Sequence, residues 1–182
     1  EEAALSQDAA PEGVIAVAAA PPPIDPASWA DGTSPLLLLY RVADPNNLGA
    51  VLRTADWFGF RRVCLGRGSV DATHPKVVRA SMGGLFRLAV AEGVDFERFL
   101  PRLRGRFLLV GTDVRTGIPP HPCPAGAALL IGSESHGLPE ALLSMADERW
   151  RIPGGGAAES LSLPQAAAIL MYECTRRMPE KG

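Results

Sequence analysis

The stretch Leu129-Leu130-Ile131-Gly132-Ser133-Glu134-Ser135-His136-Gly137-Leu138 decides the fold of this chain. An apolar run that begins at Ala127 leads directly into a turn that carries two glycines. A continuous apolar run of this length is typical of a strand buried on both faces of a parallel sheet. Open α/β folds bind their ligands at the carboxyl ends of such strands. The stretch therefore predicts a strand over 127–131 and a ligand-binding turn after it.

Strand and helix patterns alternate on both sides of that strand. We expect a short strand over 12–18, near the start of the chain. Further strands are expected over 36–40, 62–65, 85–90, 107–110 and 150–152. Helices are expected to begin at a cap on Asn47, at Pro75, at 96 and at Pro139, and a last helix is expected over 166–177 after a capping box at 162–165. Repeated β–α units predict an α/β fold, in which helices flank a parallel sheet.

Composition narrows the class of protein without naming a function. The chain has 182 residues, which suits one domain with a short appendage, and no apolar run approaches the roughly 20 residues that span a bilayer. Its net charge of −2 gives no electrostatic indication of a nucleic-acid partner, so any such partner must be inferred from motifs. Three cysteines without a CxxC pair favour free thiols and a cytoplasmic location. Three scattered histidines give no metal site.

Three short motifs follow one another along the chain. They occupy residues 45–55 (Pro-Asn-Asn-Leu-Gly-Ala-Val-Leu-Arg-Thr-Ala), 132–138, and 159–163 (Glu-Ser-Leu-Ser-Leu). Together they resemble the signature of the SpoU/TrmH-type RNA ribose methyltransferases, a branch of the SPOUT superfamily. The glycine spacing in 132–137 is neither that of a dinucleotide fingerprint nor that of a P-loop. The resemblance extends over about residues 36–173.

The resemblance implies a fold and a reaction. The fold is a parallel sheet flanked by helices, with a C-terminal trefoil knot formed by threading residues 154–177. The reaction is transfer of a methyl group from S-adenosylmethionine to a ribose 2′-hydroxyl in structured RNA by a homodimer, with ribosomal RNA favoured over transfer RNA. Ser162 replaces an asparagine of the family motif, which leaves open a weakly active or inactive RNA-binding or assembly protein.

The same resemblance assigns roles to particular residues. It implies a catalytic group of Asn47, Arg53, Glu134 and Ser160, in which Arg53 stabilises charge on the developing alkoxide and the adjacent phosphate. It implies that the cofactor is bound by Thr112, Gly132, Ser133, Glu134, Gly137, Ile152, Ser160 and Leu161. It implies that RNA is contacted by Asn47, Arg53, Lys76 and Arg79. No metal is implied.

Simpler interpretations compete with these roles. Asn47 could be an ordinary helix cap, and Arg53 a surface arginine paired with Asp56. Ser160 could only help to start a helix. The turn at 132–137 could need glycine for a positive φ alone, and His136 is expected to face solvent.

The domain organisation is also inferred from the resemblance. Residues 1–33 are interpreted as the truncated end of a small N-terminal substrate-binding domain with a Pro-rich linker. Residues 34–182 are interpreted as the methyltransferase catalytic domain.

Overall fold

A computed structural model describes residues 19–177 of the chain. The strand expected over 12–18 lies outside the described residues. The strands are β1 (Leu36–Leu39), β2 (Arg62–Gly66), β3 (Ala89–Val94), β4 (Leu108–Thr112), β5 (Ala127–Ile131) and β6 (Glu148–Trp150). The helices are α1 (Pro45–Trp57), α2 (Pro75–Ala80), α3 (Phe96–Leu103), α4 (Glu140–Leu143) and α5 (Leu163–Thr175), and two 3-10 turns lie at Pro26–Trp29 and Gly84–Arg87.

All six strands form one parallel sheet in the order β3-β2-β1-β5-β4-β6. The predicted α/β architecture is therefore confirmed. β1 lies near the centre, with Leu37 opposite Val63 of β2 and opposite Leu129 of β5. Since both neighbours of β1 are strands and both faces are covered, its four leucines are fully buried.

The helices divide between the two faces of the sheet. Leu37 and Leu39 of β1 belong to a core with α1 and α5, whereas Leu36 and Leu38 belong to a core with α3 and α4. This alternation is the two-residue period of a strand. Burying each such leucine stabilises the fold by about 1.5–3 kcal/mol.

Both edge strands differ from the predicted positions. β3 begins at Ala89 rather than at residue 85, because the preceding residues form the 3-10 turn Gly84–Arg87. β6 spans Glu148–Trp150 rather than 150–152. It includes two charged residues, which an apolar pattern does not detect.

Two helix starts also differ in detail. α1 begins at Pro45 with Asp44 as its cap, so the prediction of Asn47 as the cap is wrong. Ser162 does stand at the N-cap of α5, but its hydroxyl donates to the side-chain Oε1 of Gln165 at 3.1 Å instead of bonding the backbone. The predicted capping-box bonds are therefore not formed.

The segment before β1 packs closely onto the sheet. Trp29 is buried in the core on the α3 side. Asp31 accepts two hydrogen bonds from the Arg62 guanidinium, at 2.9 and 3.2 Å. Arg106 donates to the carbonyl of Ala30 at 2.8 Å. Between residues 19 and 177, no helix has the length and apolar character needed to cross a bilayer.

Candidate active site at the carboxyl ends of β4, β5 and β6

Residues predicted to bind the cofactor follow three neighbouring strands. Thr112 is the last residue of β4, Gly132 comes directly after β5, and Ile152 lies two residues after β6. Because β5, β4 and β6 are adjacent and parallel, their carboxyl ends meet at one edge of the sheet. This is the place where open α/β folds bind ligands.

The turn after β5 is tight and depends on its glycines. Ser133 and Gly137 exchange two backbone hydrogen bonds, at 3.3 and 3.0 Å. A Cβ atom on Gly132 would lie 2.2 Å from the carbonyl carbon of Gly137, and Gly137 itself has φ +64°. The expected need for a positive φ is confirmed at Gly137. His136 at the tip of the turn is exposed, as expected.

One hydrogen bond joins the first motif to the second. The Nδ2 of Asn47 donates to Oε1 of Glu134 at 3.1 Å. The Asn47 amide is available because the backbone N–H of Asn47 is already bonded to Oδ1 of Asp44, at 2.9 Å. The start of α1 is thereby linked to the turn after β5, through two side chains that lie far apart in the sequence.

Sequence reasoning missed Asp44, although a signal was present. An acidic residue followed by proline is a helix-start pattern, with the acid as cap and proline at the first helical position. Asp44-Pro45 fits that pattern, and the structure uses it.

Arg53 lies apart from this pair of side chains. It follows Asn47 by six residues on α1, which turns it about 600°, or 240° after one full circle, around the helix. Its Cα packs against Gly84, since a Cβ on that glycine would lie 3.2 Å away. Arg53 is exposed on the side of α1 that faces the 3-10 turn Gly84–Arg87 rather than Glu134.

The simpler prediction that Arg53 pairs with Asp56 is wrong. Asp56 instead pairs with Arg87, whose Nε donates to Oδ2 of Asp56 at 2.7 Å. Asp56 also forms an ion pair with Arg61. Over residues 19–177 the Arg53 guanidinium has no hydrogen bond or ion pair. It is therefore available to an anion.

The third motif lies on an open loop. Residues 153–162 are exposed, and Leu161 keeps 45% of its surface in solvent. Within the described part of the chain, no hydrogen bond connects Ser160 with Asn47 or Glu134. Ile152, at the start of the same loop, is half-buried against the core that contains α1 and α5.

The two further basic residues lie on α2. Lys76 and Arg79 are both exposed and are three residues apart, so they project from similar sides of the helix. Nδ1 of His74 accepts a hydrogen bond from the backbone N–H of Lys76 at 3.2 Å and caps the helix. α2 packs on α1, so these cations and Arg53 lie on neighbouring elements.

Polar bonds hold the loop after β4 in place. Burial raises the pKa of Asp113, but hydrogen bonds from the Arg115 backbone and the Thr116 hydroxyl outweigh it, and the net pKa is lowered. The loop beside Thr112 is therefore fixed by an ionised carboxylate. No cluster of three or more His, Cys, Asp or Glu side chains suited to a metal is found in residues 19–177.

Several known proteins are similar to this chain in sequence and in fold. The chain is 37% identical over 140 residues to the 23S rRNA (guanosine(2553)-2′-O)-methyltransferase RlmP of Bacillus subtilis, covering 75% of this chain and 56% of that protein. The crystal structure of an AdoMet-bound rRNA methyltransferase from Sinorhizobium meliloti matches with a TM-score of 0.75 and 32% identity, over 81% of this chain and 57% of that one. A structure described as giving insights into the 2-OH methylation of C/U34 on tRNA matches with a TM-score of 0.72 and 29% identity, over 80% of this chain and 91% of that one.

These matches define the family of the chain. This chain spans a little more than half the length of the curated relatives that it matches first, 56% of one and 61% of the next. The family pattern of the SpoU rRNA methylases matches residues 34–172, which include all three motifs and all six strands. The chain therefore belongs to the SpoU rRNA methylase family.

Proposed function

We propose that this chain transfers a methyl group from S-adenosylmethionine to a ribose 2′-hydroxyl of structured RNA, with ribosomal RNA preferred. Family membership supports the reaction class. The observation that carries the proposal is the Asn47–Glu134 hydrogen bond, which joins the first motif to the turn after β5.

The residues at this edge fit the cofactor. S-adenosylmethionine combines a flat ring, polar sugar and amino-acid groups, and a sulfonium. Ile152 offers apolar surface for the ring, and so would Leu161 once the knot brings the open loop onto this edge. The turns after β4 and β5 offer backbone donors and acceptors. When bound, the sulfonium supplies an electrophilic methyl group.

The chain's own residues position the reactants. Asn47 holds the Glu134 carboxylate, and so fixes the turn that forms one wall of the proposed site. Arg53 stays protonated at neutral pH, so it is suited to stabilise charge on the ribose oxygen and its neighbouring phosphate rather than to act as a base. Lys76 and Arg79 extend the cationic surface along α2. Ser160 is proposed to contact the reacting groups from the open loop. Positioning of this kind contributes several kcal/mol to catalysis.

The position of Arg53 supports a shared site in a homodimer. Arg53 faces the 3-10 turn Gly84–Arg87 rather than Glu134 of its own chain, and exposed apolar side chains stand on α1 and in or beside that turn. Trp57 is 84% exposed, Phe86 77% and Met82 67%. Aromatic side chains with arginine are enriched at interfaces. We propose that a second copy covers this face and receives Arg53 in its own site.

A mixing experiment tests the shared site. Arg53→Ala and Ser160→Ala are each expected to be inactive alone. Equal mixing of the two, after dissociation and reassociation, should restore about a quarter of the wild-type activity, because half of the dimers then carry one intact composite site. No rescue despite dimer exchange would mean that Arg53 acts within its own chain.

The knot and the domain boundary are proposed on family grounds. We propose that residues 154–177 thread through the preceding chain to form a trefoil knot, which would bring the open loop back onto the sheet edge. The last helix of this segment, α5, packs on α1 and β5. We also propose that residues 34–182 are the catalytic domain, and that residues 1–33 are the end of a domain that recruits RNA together with a linker, the last part of which packs on the sheet at Trp29.

Methyl transfer from tritiated S-adenosylmethionine to total RNA tests the reaction. Label is expected in ribosomal RNA, and mapping should find it on a ribose 2′-oxygen. Arg53→Ala should abolish transfer but leave cofactor affinity, measured by calorimetry, within about twofold. Arg104→Ala, which removes an exposed arginine after α3, is the matched control. Cofactor binding without any methylated RNA would favour an inactive RNA-binding protein. Label confined to transfer RNA would mean that transfer RNA, not ribosomal RNA, is the substrate.

A further inference from the structure

Two cysteines from distant parts of the chain lie side by side. Cys123 is in the loop between β4 and β5, and Cys174 is in the last turn of α5. The backbone N–H of Cys123 donates to the carbonyl of Cys174 at 2.9 Å. This bond makes the two residues direct neighbours in space. Disulfides require a Cα separation of about 4.4–6.8 Å.

The two thiols differ in their surroundings. The Sγ of Cys123 donates to the backbone carbonyl of His121 at 3.7 Å. The neighbouring Cys123 side chain, and then burial, raise the pKa of the Cys174 thiol. Cys174 is only 1% exposed, whereas Cys123 is half-buried and can be reached from solvent. The sequence predicted free thiols, and both are free in the structure.

The third cysteine cannot compete for either partner. Cys64 is fully buried in the core on the α3 side of the sheet, while Cys174 belongs to the core on the α5 side. Burial also raises the pKa of the Cys64 thiol, which keeps it protonated and unreactive.

We propose that Cys123 and Cys174 form a reversible intrachain disulfide when the protein meets a small-molecule disulfide. The Cys123 thiolate attacks one sulfur of the reagent, breaks its S–S bond and releases one thiol. Cys174 then loses its proton to solvent and attacks the Cys123 sulfur, which releases the second thiol. Two protein thiols are oxidised, and one reagent disulfide is reduced to two thiols.

The first step prepares the second. Cys123 is half-buried and can be reached by a small-molecule disulfide, whereas Cys174 is only 1% exposed and can attack only a sulfur that is already beside it. The buried member of the pair is thus suited to resolve the mixed disulfide, and the accessible member to form it.

The new bond would close a loop of about 50 residues. That loop contains the turn at 132–137, β6 and the open loop at 153–162, and it ends on α5. Oxidation would therefore tether the C-terminal helix to the loop beside β4. The pairing itself does not depend on the proposed function, so it can be tested without an activity measurement.

Oxidised glutathione is the probe. The reduced chain is incubated with it under native conditions, free thiols are blocked with iodoacetamide, and the intact mass and the peptides are measured. We expect a mass about 2 Da lower than that of the reduced protein, and a peptide pair that joins Cys123 to Cys174. Cys64 should be alkylated only after unfolding. The oxidised form should melt about 5 °C or more above the reduced form.

Matched variants separate the two steps. Cys174→Ser should stop at a stable glutathione adduct on Cys123, and Cys123→Ser should not react at all. Cys64→Ala should behave like the wild type. A stable adduct on wild-type Cys123, a disulfide between two chains, or a folded protein that leaves both thiols unmodified would each overturn the proposal. Circular dichroism of every variant checks that it is folded. The difference in melting temperature between the oxidised and the reduced wild type tests the disulfide without any variant.

Discussion

The carboxylate of Asp44 accepts the backbone N–H of Asn47 at 2.9 Å, and this bond leaves the Asn47 side chain free for Glu134. The two residues therefore have separate roles, since Asp44 caps α1 and Asn47 holds the turn after β5. Asp44→Ala should lower the free energy of unfolding by about 1 kcal/mol, the usual value of a helix cap. Urea denaturation measures the loss, and Asp44→Ser, which keeps a capping oxygen, should recover most of it.

Asn47→Ala should affect catalysis more than stability. The bond to Glu134 is exposed, so its loss should cost under about 1 kcal/mol of unfolding free energy. Methyl transfer should fall at least tenfold, because the turn loses its link to α1. Asn46→Ala is the control, since Asn46 is its exposed neighbour in the same helical turn. Equal loss of activity in both variants would contradict the role given to Asn47.

Gly132→Ala tests the turn as a cofactor wall. The added Cβ would lie 2.2 Å from Gly137, so the turn must open. We expect cofactor affinity measured by calorimetry to fall at least tenfold, a change of about 1.4 kcal/mol. Gly154→Ala, in the open loop where a Cβ meets nothing within 4 Å, should leave affinity unchanged. If Gly132→Ala binds the cofactor with unchanged affinity, this turn is not part of the cofactor site.

Gly49→Ala should destabilise the protein, against the usual effect of alanine in a helix. Alanine normally favours a helix over glycine by about 1 kcal/mol. At this position the new Cβ would lie 2.5 Å from Cβ of Ala80 and 2.7 Å from the carbonyl oxygen of Val77. Overpacking of this kind costs about 1–3 kcal/mol, so the net change should be a loss of stability. A rise in melting temperature would show that α2 moves away without cost.

The Asp31–Arg62 pair should contribute to stability at neutral pH and lose that contribution in acid. The Arg62 side chain and the Thr33 backbone hold the pKa of Asp31 well below its usual range. The folded state therefore binds fewer protons than the unfolded state, and the contribution is present above about pH 4 and falls as the pH drops further. The stability difference between wild type and Asp31→Asn should shrink from pH 5 to pH 2.5 in urea titrations. A difference that does not change with pH would contradict this linkage.

How far the sequence predicts this fold depends on where each strand lies in the sheet. The four interior strands were predicted within two residues at either end, because burial on both faces requires a continuous apolar run, as at Leu36–Leu39. Both misplaced strands are edge strands. β4 is the only strand that pairs with β6 in the described part of the chain, and the other side of β6 carries just an isolated bridge from Ile118. β6 therefore tolerates Glu148 and Arg149, and its sequence resembles a loop.

The candidate site is predictable from the sequence only in part. Its placement at the strand ends follows from the β–α pattern, and the glycine turn after β5 was identified correctly. The side-chain network was not, because the choice of cap depends on which oxygen reaches a backbone N–H in three dimensions. Asp56 illustrates this limit, since Arg87 and Arg61 reach it from other elements while Arg53, one turn away on the same helix, does not.

The position of β1 between β2 and β5 has a consequence for synthesis of the protein on the ribosome. β1 and β2 emerge early, but the second flank of β1 receives its partner only after Ile131 has been translated. During that interval an all-leucine strand presents unpaired backbone groups, a state that invites aggregation. Nascent chains that pause before residue 127 should therefore need a chaperone more than those that pause after β5.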